Sequence, residues 1–101
     1  MVRMAIVYPG EGKRFDVKYY IERHMAGARQ MLAPYGLTRV EVDRPLAAGP
    51  IACIGYFYFE SLDGLQRGMD AHAPELIADV PNYTDITPQL YTGEVTEVAA
   101  V

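Results

Sequence analysis

Ala52-Cys53-Ile54-Gly55-Tyr56-Phe57-Tyr58-Phe59 carries no charged side chain. Its shortness and its aromatic and β-branched content predict a strand rather than a helix. Successive strand side chains point to opposite faces, so Cys53, Gly55, Phe57 and Phe59 share one side. Ala52, Ile54, Tyr56 and Tyr58 share the other. Both sets are apolar, which predicts a central strand covered on front and back.

On its N-terminal side, Thr38-Arg39-Val40-Glu41-Val42-Asp43 alternates polar with apolar and predicts an edge strand with one solvated face. The segment Met4 to Tyr8, stopped by Pro9-Gly10, predicts another apolar strand, with Met4, Ile6 and Tyr8 opposed to Ala5 and Val7. Between these two strands, Asp16 is placed to cap a helix and Phe15 to brace its first turn. Val17, Tyr20, Ile21, His24, Ala28, Met31, Leu32 and Tyr35 then recur at helical spacing, and Pro34 and Gly36 mark the stop. Beyond Phe59, Ser61 caps a second apolar stripe of Leu62, Leu65, Met69, His72, Leu76, Ile77 and Val80. Pro74 interrupts this stripe and predicts two short helices, the second starting near Pro74-Glu75. Gln89 to Val95 supplies the last strand.

The resulting order, β-α-β-β-α-β, is that of a ferredoxin-like α+β domain: a four-stranded antiparallel sheet with both helices on one face. One domain fills the 101 residues, with a core from about residue 3 to 97. Helices on one face leave the second apolar face of the central strands uncovered, and no spare segment exists to cover it. A second copy is the simplest cover, giving a dimeric α+β barrel. Burying about four large side chains at about 2 kcal/mol each offers on the order of 8 kcal/mol per subunit, against an association cost of about 4–15 kcal/mol.

With 9 Lys and Arg scattered among 13 Asp and Glu, the chain has a net charge of −4, which argues against nucleic acid as a partner. The N-terminal stretch is too short and too polar for a signal peptide or membrane span, so the chain reads as cytoplasmic. The single cysteine, Cys53, sits in an apolar run and reads as a buried, inert thiol. No GxSxG, P-loop, dinucleotide or HExxH pattern is present, and Gly10-Glu11-Gly12 lacks the spacing of a phosphate loop. No cofactor or metal is expected.

His24 and His72, the only histidines, both fall on apolar helix stripes and are expected to point at the sheet. Such a histidine is either a core residue with satisfied nitrogens or a general acid/base, since an imidazole exchanges protons near neutral pH. Eight tyrosines against three phenylalanines mean many buried hydroxyls in need of partners. A pocket beneath the first helix would supply them, with His24 as the acid/base group and Tyr20, Tyr58, His72, Tyr83 and Asp85 as ligand contacts. Asp85 could orient a histidine across the cleft, although Asn82, Asp85 and Gln89 are more often turn formers than ligand contacts.

Phe15-Asp16-x-x-Tyr19-Tyr20-x-x-x-His24-Met25, Tyr56-Phe57-Tyr58-Phe59 with Ser61, and His72-x-x-Glu75-Leu76-x-x-Asp79-Val80-Pro81-Asn82-Tyr83-Thr84-Asp85-Ile86 together resemble the EthD family, named for ethyl tert-butyl ether degradation. The resemblance spans nearly the whole chain and implies the same dimeric α+β barrel. It places the family's histidine on His24 and its aromatic pair on Tyr19 and Tyr20. Relatives commonly have proline two residues after that histidine, where this chain has Ala26-Gly27. The implied function is a catabolic or accessory protein that binds a small apolar organic molecule, with cofactor-independent oxygenase, isomerase or cyclase chemistry. A non-catalytic carrier of a hydrophobic metabolite and a haem-binding barrel are the alternatives.

Overall fold

The computed structural model describes residues 1–10 and 13–101. Glu11 and Gly12, and with them most of the Gly-Glu-Gly loop, lie outside the described residues. The strands are β1 (Val2–Pro9), β2 (Leu37–Asp43), β3 (Ile51–Phe59) and β4 (Gln89–Glu94). They form one sheet in the order β2-β3-β1-β4, every pair antiparallel. This is the ferredoxin-like α+β fold, with β1 and β3 central and the alternating strand β2 at an edge.

Register fixes which side chains meet. Met4 lies opposite Phe57, Ile6 opposite Gly55 and Tyr8 opposite Cys53, and all six face the helices. The first helix begins where Asp16 accepts a hydrogen bond from the Tyr19 amide at 3.0 Å. Phe15, just before the cap, packs edge-on against Tyr20 with ring centroids 5.1 Å apart, bracing the first turn. Gly36, at φ 87°, takes the left-handed position after Ala33–Tyr35 and ends the segment.

The first helix is not uniform. Val17–Tyr19 is α-helical, Tyr20–Met25 forms a π-turn, and Ala26–Leu32 is α-helical again. Its buried row is Tyr20, His24, Ala28 and Leu32, spaced by four. In a straight α-helix such a row swings by about 40° per step and would leave the sheet. The wider π-turn takes up part of that swing. It also brings Met25 into the core and leaves Ile21 exposed, the reverse of what an uninterrupted 3.6-residue period implies.

The second helix corrects a second expectation. Leu62–Asp79 is one continuous α-helix that contains Pro74, not two short ones. Proline removes the hydrogen bond to the carbonyl four residues back, that of Asp70. Both Pro74 and Asp70 are on the solvent side, where water can satisfy that carbonyl. Leu62 and Ile77, placed on the inward stripe by spacing, are 49% and 68% exposed.

The far face of the sheet is less greasy than the alternation implies. The Arg3 guanidinium lies 5.0 Å from the centre of the Tyr56 ring, and that of Arg39 lies 5.3 Å from the Tyr58 ring. The hydroxyls of Tyr58 and Tyr56 donate to Glu41 and Asp43 on the neighbouring edge strand, at 2.8 and 3.2 Å. Rings and charges therefore interleave across this surface.

Candidate functional site

After the second helix, the 3₁₀ turn Val80–Asn82 leads into a segment tied to the entry of the first helix. Asp16 N–H donates to the Tyr83 carbonyl at 2.8 Å, and Thr84 Oγ1 donates to the Arg14 carbonyl at 2.6 Å. Arg14 in turn donates to the Pro81 carbonyl and grips the Asp85 carboxylate with Nε and Nη2. These bonds fix Tyr83 between the two helices, directly against His24.

A hydrogen-bonded chain results. Tyr8 Oη and Tyr83 Oη are 2.6 Å apart, Tyr83 Oη is 3.4 Å from His24 Nε2, and His24 Nδ1 is 2.9 Å from Asp79 Oδ2. The second Asp79 oxygen accepts from Tyr19 Oη at 2.7 Å and Asn82 Nδ2 at 2.8 Å. A carboxylate only accepts, so Asp79 holds the proton on Nδ1. In the neutral ring this leaves Nε2 with its lone pair, toward Tyr83. His24 is 6% exposed, its ring stacked on Tyr20 at 5.5 Å.

Electrostatics follow from burial. Partial desolvation pushes the Asp79 carboxyl up, but the hydrogen bonds from Asn82, Tyr19 and His24 outweigh it and hold it below the ordinary carboxylate range. Tyr8, Tyr20 and Tyr83 are all raised above ordinary phenols, chiefly because the interior disfavours the phenolate. Burial likewise lifts Cys53 to about 11, and its thiol donates to the Asp43 carbonyl. It is no nucleophile at neutral pH.

His24 opens onto a cleft of about 120 Å³. Met4, Ile6 and Phe57 form its floor on the sheet, and Met69, Ala73 and Leu76 its wall on the second helix. Ile77 and Leu90, both largely exposed, stand at its rim. The hollow was expected beneath the first helix. It lies beneath the second instead, because the aromatic cluster of Tyr8, Phe15, Tyr20 and Tyr83 fills the space under the first helix's entry. From the first helix, only His24 reaches the cleft.

The structure therefore brings together His24, Tyr20 and Tyr83, the last two packed behind the imidazole, and sets the other candidates apart. Tyr58 is on the far face of the sheet, since its position in β3 has the opposite parity to Phe57. Asp85 is on the surface with Arg14, which holds its carboxyl low, and it is Asp79 that meets the imidazole. His72 is half-buried beside Glu75, 3.3 Å away, with its ring edge-on to Tyr35. Asp79 and Tyr8 are the residues that reasoning from sequence passed over, and Tyr19 enters it only as one of the family's aromatic pair. Asp79 stands three residues beyond Leu76 at the end of the stripe, which is the one periodic hint that it could face inward. Among the described residues, no three His, Cys, Asp or Glu side chains are grouped to hold a metal ion, and no helix is long and apolar enough to cross a membrane.

These features define a ferredoxin-like α+β protein with an apolar cleft ended by a buried Asp-His-Tyr chain. Its resemblance to EthD proteins holds in three dimensions. An EthD-like protein from Ralstonia eutropha superposes with a TM-score of 0.87 at 27% identity, covering 98% of this chain and 95% of that one. An ethyl tert-butyl ether degradation family protein from Bacillus halodurans gives a TM-score of 0.65 at 18% identity, covering 95% and 99%. SnoaB, a cofactor-independent oxygenase from Streptomyces nogalater, gives 0.65 at 12% identity, covering 97% of each. No family model and no curated protein matches the chain by sequence.

Proposed function

We propose that the protein binds a small, mostly apolar organic molecule in the cleft and that His24 takes a proton from it or returns one. The observation that carries this reading is a single imidazole, pinned by Asp79, at the end of an otherwise apolar hollow. Asp79 fixes the tautomer and stabilises the imidazolium that forms once Nε2 accepts a proton. Tyr83 stands at the second edge of the ring, with Tyr8 hydrogen-bonded to it. Proton abstraction from an acidic O–H or C–H is the chemistry this arrangement supplies, and it is a step common to cofactor-independent oxygenases, isomerases and cyclases. The EthD-like fold, shared with SnoaB, supports the same class.

Turnover of a panel of phenols, quinones and lactones by the wild-type protein is expected to fall at least about 10²-fold in a His24→Ala variant that keeps its fold by circular dichroism. Unchanged turnover removes His24 from the chemistry. Binding without turnover by the wild type leaves a carrier.

The proposal includes a homodimer formed through the far face of the sheet. Arg3 and Arg39 alternate there with Glu41 and Asp43 around Tyr56 and Tyr58. Such a surface can pair with its own copy across a two-fold axis, base to acid. Sedimentation at micromolar concentration is expected to give twice the 11.2 kDa subunit mass, and Arg3→Glu to shift it toward single subunits. A folded single subunit in the wild type overturns the dimer.

A further inference from the structure

We infer that the cleft is built for a neutral, single-ring molecule with a hydroxyl group, such as phenol; this rests on the reading of the cleft as a ligand site.

Size is the first argument. A hollow of about 120 Å³ is on the scale of one aromatic ring, since an apolar cavity of about 150 Å³ holds benzene. A second, fused ring would have to lie beyond it, at the open rim beside Ile77 and Leu90. Charge is the second. His24 and Tyr8 are the polar side chains on its wall, and no lysine or arginine lines it. A ligand carboxylate would be buried with the Asp79 carboxylate directly behind the imidazole and only that one ring between them, a costly arrangement.

The third argument is hydrogen-bond polarity. With Nδ1–H committed to Asp79, the neutral His24 ring offers the cleft an acceptor, so the ligand oxygen there must carry a proton. The Tyr83 hydroxyl sits 3.4 Å from Nε2, a long bond that a ligand hydroxyl can replace. Tyr83 loses nothing by this, because it can turn its proton to Tyr8 Oη, 2.6 Å away, where either oxygen can be the donor. The site thus offers an acceptor, the complement of an O–H group that gives a proton. An ether or a ketone can only receive.

Titration calorimetry on the full chain with phenol, anisole, benzoate and naphthol tests this. Phenol is expected to bind at least about tenfold more tightly than anisole. Benzoate is expected not to bind at the same concentrations, and naphthol to bind more weakly than phenol. The His24 Nε2 resonance in nitrogen NMR should move with phenol and not with anisole, a readout that needs no variant. Equal affinity for phenol and anisole overturns the hydroxyl selection while leaving the cleft a ligand site. Tight benzoate or naphthol binding overturns the neutral, single-ring assignment. Failure of all four to bind removes the ligand site together with this inference.

Discussion

Raising the pH from about 9 to about 12 is expected to unfold the protein far more steeply than its size suggests. The cause is the cluster under the first helix. Tyr8, Tyr20 and Tyr83 are each at most 1% exposed, their rings lie 5.0 to 5.9 Å apart, and burial raises all three hydroxyls above the ordinary phenol. Above about pH 10 the unfolded chain releases these protons and the native state retains them. Stability then falls with pH, because the native state binds more protons than the unfolded one. The contribution is complete below the unfolded phenol range and is lost as the pH climbs toward the raised native values.

Each such group contributes a slope of about 1.4 kcal/mol per pH unit, and three together about 4 kcal/mol per unit. A domain with about 5–15 kcal/mol of stability has little left after two or three units. Cys53, lifted to about 11, adds to the loss at the lower end of the same range. Urea unfolding midpoints across this pH range measure the slope, and phenolate absorbance shows when each tyrosine ionises. Tyr8, Tyr20 and Tyr83 should ionise only as the protein unfolds. A flat stability profile, or eight tyrosines ionising together near about pH 10 with the fold intact, sinks the account.

That cluster marks the border of what the sequence discloses. The sheet was legible because period-two burial in β3 and helical stripes on either side are local signals, and Asp16, Ser61 and Gly36 punctuate them. Parity along β3 even assigns Phe57 and Tyr58 to opposite faces, so the separation of Tyr58 from His24 follows from strand geometry alone. Other features depend on contacts distant in sequence. Asp79 reaches His24 across 55 residues, and nothing near either of them announces the bond. Asp85, close in sequence and equally acidic, is claimed by Arg14, 71 residues away. The continuity of the second helix through Pro74 depends on which way that turn faces, and the π-turn on how far a row spaced by four must be rotated to stay on the sheet. The hollow itself is what remains once large side chains have been packed elsewhere, and no periodicity encodes it.

Replacing Gly55 by valine is expected to cost about 3 kcal/mol or more, and replacing it by alanine somewhat less. A Cβ at this position would overlap the Tyr20 hydroxyl and approach Met25 Cε at 2.9 Å. The Tyr20 ring cannot retreat, because Tyr8, Phe15, His24 and Tyr83 enclose it. Glycine here answers to the phenol above it, a close approach of side chain to strand. The same hydroxyl is buried without a hydrogen-bond partner, though Tyr8 is a near neighbour. Tyr20→Phe should therefore be neutral or stabilising by about 1 kcal/mol, since it removes an unsatisfied polar group. It should also make room: with the oxygen gone, the new Cβ meets the Tyr20 ring carbon at 3.2 Å, relieved by a few tenths of an ångström, and Met25 Cε at 2.9 Å, the far end of a flexible side chain that can shift. In the Tyr20→Phe background, Gly55→Ala is then expected to be close to neutral, because alanine also lowers the entropy of the unfolded strand relative to glycine. Urea midpoints of the four proteins close a double-mutant cycle, with a coupling of about 1–3 kcal/mol. Strictly additive costs show that something other than the Tyr20 hydroxyl demands glycine at position 55.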